Sequence, residues 1–77
     1  MKIFILLDIL TQIENEQKTF SQIFKTVTFS HMTLIKYLKI LLDDKMIIKK
    51  FKQYPKYKIT VKGEKFLIDT KKWSLLK

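Results

Sequence analysis

The chain has 77 residues, a single histidine and no cysteine. A chain of this size forms one small domain that buries only roughly 60% of its unfolded surface, and neither a disulfide nor a zinc site of the usual kind is available to reinforce it. Sixteen basic residues against seven acidic ones give a net charge of +9, which implies a polyanionic partner.

In chain order, residues 1–13 are apolar behind Lys2, but Asp8 interrupts the run and no small-residue cleavage site follows. The segment is also too short to span a bilayer. It is expected to be a helix with a core stripe of Ile3, Leu6, Leu7, Leu10 and Ile13. Ile5 and Ile9, one turn apart, extend that stripe beyond what a small core needs. They are candidates for contact with a second copy of the chain, with Trp73 as a further contact; the alternative is a wide core stripe. Glu14 to Lys18 is expected to be a polar connection.

Thr19 and Gln22 have capping-box spacing, so a short helix is expected to begin at Phe20. The β-branched run from Thr26 to Phe29 interrupts it, and Ser30 offers a second N-cap hydroxyl. A longer helix over residues 31–43 then carries Leu34, Tyr37, Leu38 and Leu41 as one apolar stripe, widened by Ile35 and Leu42. The opposite side holds Met32, Thr33, Lys36, Lys39 and Ile40. Ser30 and His31 stand at the N-terminal tip, where free backbone N–H groups and the helix dipole favour an anion. Such a helix is shaped to be presented to DNA.

Lys45 stands where a left-handed glycine would be expected to stop the helix, and adopting that conformation costs roughly 1 kcal/mol. Met46 to Phe51 and Tyr57 to Val61 are expected to be strands, with Tyr57, Ile59 and Val61 on one face. Pro55 presets the turn between them. Lys49, Lys50, Lys52, Lys56 and Lys58 crowd this hairpin. From Thr60, as cap, a last helix is expected to run to about Trp73, with Phe66, Leu67, Thr70 and Trp73 along one side. Gly63 in its first turn would let it approach the hairpin or the first helix closely.

Helix, helix-turn-helix, two-stranded hairpin and final helix is the order of a winged helix. The expected fold class is α+β, mainly α: three helices, a two-stranded β wing and a C-terminal helix. Over nearly its whole length the sequence also resembles the small winged-helix transcriptional regulators of archaea and archaeal viruses. Ser30, Thr33-Leu34, Lys36-Tyr37-Leu38, Leu41 and Met46-Ile47 carry the resemblance, followed by Tyr57, Ile59-Thr60, Lys62-Gly63 and Phe66-Leu67. It implies a homodimer with the recognition helix in the major groove and the wing beside the minor groove. Lys45 in place of Gly, and a wing without Arg, depart from the pattern.

Sequence-specific binding of double-stranded DNA is therefore the leading expectation. Ser30, His31, Met32, Thr33 and Lys36 would approach base edges, while Lys39 and the wing lysines Lys49, Lys50, Lys52, Lys56 and Lys58 would meet phosphates. All sixteen basic residues are Lys, a point charge suited to phosphate, whereas the Arg fork is the commoner reader of guanine. Most of the charge should position rather than specify. A non-specific architectural protein and a protein-interaction module are the alternatives. An RNA partner would need an exposed aromatic platform, which requires Tyr54 or Phe51 to be turned outward. No nucleophile with matching His and acid, carboxylate pair or Gly-rich phosphate loop suggests an enzyme. Neither a cofactor, a metal, a membrane nor a small-molecule ligand is expected, and the expected location is the cytoplasm.

Overall fold

The computed structural model describes residues 2–75, with side-chain surroundings for residues 2–70. Four helices and three short strands follow in the order α1 (Ile3–Ile13), β1 (Lys18–Thr19), α2 (Phe20–Thr26), α3 (His31–Asp43), β2 (Ile47–Lys50), β3 (Lys56–Ile59) and α4 (Val61–Leu75). The strands form one antiparallel sheet in the order β1-β3-β2. The third strand differs from the two-stranded hairpin expected: Lys18 and Thr19 pair with Tyr57 and Lys56 at the edge of the sheet. Two residues are too few for alternating hydrophobicity to show, which is why this strand reads as a polar connection.

α1 lies at the centre and packs against α2, α3, α4 and β3. Leu6, Ile9, Leu10 and Ile13 are its buried residues. Ile9 is 0% exposed, which corrects its assignment to a surface contact with a second copy. The apolar stripe is turned from the expected one by roughly half of the 100° step between neighbours, because α1 is covered on several sides rather than one. Ile5 is half-buried and packs against the core, while Ile3 and Phe4 are exposed. Trp73 lies on α4, and its side chain falls outside the described ones.

The helix boundaries follow their caps. Thr19 Oγ1 accepts from the Gln22 N–H at 3.2 Å, and Gln22 Oε1 accepts from the Thr19 N–H at 2.9 Å, completing the capping box. Ser30 Oγ accepts from the Thr33 N–H at 3.2 Å to start α3. At the other end of α3, Lys45 adopts φ 60°. The Met46 N–H reaches the Leu41 carbonyl at 3.0 Å and the Lys45 N–H reaches that of Leu42 at 3.1 Å. This is the Schellman arrangement, and it needs a left-handed residue at position 45 whether or not that residue is glycine. Lys62 Nζ adds a bond to the Asp44 carbonyl at 2.8 Å.

α3 buries Leu34, Tyr37, Leu38 and Leu41. The Tyr37 hydroxyl accepts from the Lys2 N–H at 2.9 Å, tying the start of α1 to the middle of α3. Ile47, Tyr57 and Ile59 close the core from the sheet and Leu67 from α4. Val61 is not a strand residue on the Tyr57 face but the exposed first residue of α4. Thr60 has already ended the strand: its Oγ1 donates to the Lys45 carbonyl at 2.7 Å and accepts from the Gly63 N–H at 3.2 Å. A Cβ on Gly63 would stand 2.2 Å from the Met46 carbonyl oxygen and 2.8 Å from Ile59 Cγ1. The absent side chain therefore sets how closely α4 approaches the hairpin.

Candidate nucleic-acid interface

Beyond the cap, α3 turns a mixed surface to solvent. Met32 is 74% exposed, and Ile35, Lys36 and Lys39 are exposed with it, while Thr33 and Ile40 are half-buried. Ile35 was expected to widen the core stripe, yet it lies at the edge of that stripe and faces outward. It lines a groove of about 560 Å³ together with Phe20, His31, Lys49, Tyr54, Pro55 and Tyr57. One wall of this groove comes from α2 and the start of α3, and the other comes from the hairpin.

Strand register decides which lysines share that groove. Tyr57 pairs with Lys18 on one side and Lys49 on the other, so the three side chains form a row on the sheet face that also carries Ile47 and Ile59. Lys49 Nζ lies 6.0 Å from the centre of the Tyr57 ring. Burial pushes the Tyr57 phenol above its ordinary value, so it stays neutral at physiological pH. Lys50 pairs with Lys56 and Ile48 with Lys58, which places all three lysines on the opposite face. Lys50 and Lys58 there line a separate depression with Glu14, Glu16 and Glu64.

The hairpin reverses over residues 51–55, and here the structure departs from a turn set by proline alone. Phe51 has φ 70° and Tyr54 φ 57°, a left-handed conformation that costs roughly 1–2 kcal/mol for a residue with a Cβ. The two residues are 60% and 78% exposed.

The helix-turn-helix, the hairpin after it and the third strand that pairs with that hairpin are thus all present. The family model described as winged helix-turn-helix matches residues 1–77. The chain belongs to the winged helix-turn-helix family. No curated protein and no solved structure gave a match. Winged-helix domains are typically DNA-binding modules without enzymatic activity, so membership points to DNA binding. Among the described residues, no helix is long and apolar enough to cross a membrane.

Within the winged helix, the residues singled out from the sequence fall into three groups. Met32, Lys36 and Lys39 are exposed on α3, and Lys49 and Lys52 border depressions on the groove side and at the tip of the wing. Ser30 and Thr33 are engaged with each other, their hydroxyl oxygens 2.9 Å apart, as part of the cap. His31 is exposed, but its ring makes T-shaped contacts with Phe20 and Phe24 at centroid distances of 4.8 and 5.4 Å and so fastens the start of α3 to α2. Lys50, Lys56 and Lys58 stand apart on the far face of the wing. Ile35 was placed with the core rather than in the groove, because an apolar residue at the stripe edge carries no signal of its own. Tyr54 and Phe51, expected to form an aromatic platform only if turned outward, are both exposed.

Proposed function

We propose that this protein is a transcriptional regulator that binds double-stranded DNA sequence-specifically, with α3 in the major groove and the wing on the backbone. The observation that carries this reading is the groove itself: the start of α3 and the lysine-bearing wing wall one concavity, in a chain of net charge +9. Met32 and Thr33 offer apolar contact to thymine methyl groups, and Lys36 reaches toward guanine acceptors. Lys39, Lys49 and Lys52 neutralise phosphates, Ser30 caps the helix, and His31 orients it. The chain acts as one domain and pairs with a second copy through exposed Ile3 and Phe4 of α1, beside half-buried Ile5. Two-fold pairing would set two recognition helices about 34 Å apart, one turn of B-DNA, and calls for a pseudo-palindromic site.

A second reading, an architectural protein with little sequence preference, is favoured by the engagement of Ser30 and Thr33 in the cap and by a wing without arginine. Competition separates the two. For a specific regulator, a random duplex should compete against the selected one on the order of 10³-fold less well at physiological salt. Equal competition would assign the architectural role.

A further inference from the structure

The tip of the wing carries two aromatic rings that neither the core nor a phosphate contact explains. Phe51 and Tyr54 hold positions with φ of 70° and 57°, where a residue without a side chain would sit unstrained, and both rings are turned to solvent. Each borders a concavity: Tyr54 the groove beside α3, Phe51 a second depression with Lys52. Lys49 and Pro55 belong to both. Exposed rings flanked by cations are the chemistry that holds unpaired bases, because every base presents a π-face to stack and a phosphate beside it to neutralise. A paired duplex keeps its bases stacked on each other and offers these rings only its backbone.

We infer that the wing tip is a stacking site for an unpaired DNA base, with Phe51 and Tyr54 as the platform and Lys49 and Lys52 holding the adjoining phosphates. The inference rests on the DNA-binding reading and adds to it a second substrate feature, a single-stranded segment next to the duplex. The occupant is nucleic acid rather than an apolar protein surface because lysine accompanies both rings. An acidic or uncharged apolar partner would meet only one half of that pattern.

The test is fluorescence anisotropy of the full chain with a blunt duplex and with the same duplex bearing a short thymidine overhang. The overhang duplex should bind on the order of tenfold more tightly. Leucine at both positions, Phe51→Leu with Tyr54→Leu, keeps apolar bulk, removes the rings, and should bring the overhang duplex down to the same variant's own blunt value. Phe51→Tyr with Tyr54→Phe should keep the preference. A 2-aminopurine placed in the overhang should be quenched by the wild-type chain, a readout that does not depend on any variant folding. Equal affinity of the wild type for the two duplexes, or a preference that survives the leucine pair, would overturn the inference. The two readings fail separately. Blunt-duplex binding without an overhang preference removes the stacking site alone, whereas binding of the overhang strand without the duplex keeps the stacking site and removes the major-groove reading.

Discussion

Gly63 and Lys45 separate the two properties of glycine, its small size and its conformational freedom. At Gly63 the backbone is ordinary helix and what matters is space, since a methyl group would meet the Met46 carbonyl, which is also the acceptor of the Thr60 N–H at 3.0 Å. Gly63→Ala should therefore destabilise the fold by about 1–3 kcal/mol in chemical denaturation, through overpacking against backbone that cannot yield without losing that bond. A midpoint equal to wild type would mean that the contact relaxes. At Lys45 the space is open and the backbone is left-handed, so Lys45→Gly should stabilise the chain by about 1 kcal/mol with an unchanged dependence on denaturant. The left-handed backbone at this position was legible in the sequence as a conflict between a helix that had to end and a lysine where glycine usually ends it. Side-chain burial was less legible. Ile9 and Ile3 have the same side chain on the same helix, and only the elements packed around α1 decide that one is core and the other surface.

Among the elements, α3 was predictable nearly to the residue because its cap, stripe and stop are all local signals. The wing was predictable as a hairpin with Lys58 on the face opposite Tyr57 and Ile59, but the division of the β2 lysines was not. Period two puts alternate residues on opposite faces, and which β2 lysine joins the Tyr57 face depends on the register of β2 against β3, which pairs Lys49 with Tyr57 and Lys50 with Lys56. This division has a measurable consequence. Lys49→Ala and Lys52→Ala should each flatten the log–log salt dependence of DNA binding by about 0.9 if each holds one phosphate, whereas Lys50→Ala and Lys58→Ala, which face Glu14, Glu16 and Glu64, should change it less. Titration of the four variants over a range of salt concentrations checks this, and a larger loss from the Lys50 and Lys58 pair would turn the wing over. Substitutions on α3 act differently. Lys36→Ala or Thr33→Ala should change which sequence is preferred, each lost base contact costing about 1–3 kcal/mol of discrimination.

At the scale of the whole molecule, the small domain leaves Phe4 80% exposed on its central helix. With Ile3 exposed beside it, this ring is the surface through which pairing with a second copy is proposed. Sedimentation should show a dimer for the wild type and a folded monomer for Ile3→Glu with Phe4→Glu. A double variant that still sediments as a dimer would move the contact elsewhere. Ile9→Glu serves as the contrast: it places a charge in the core and should unfold the chain rather than dissociate it.

Pairing, groove reading and phosphate contact converge on a single observable, the sequence of the DNA that the protein retains. Selection of bound duplexes from a random pool is its most direct measurement. Enrichment is expected of a site made of two related half-sites whose centres lie about one helical turn apart, each read by one α3. A retained pool as random as the one supplied would contradict it.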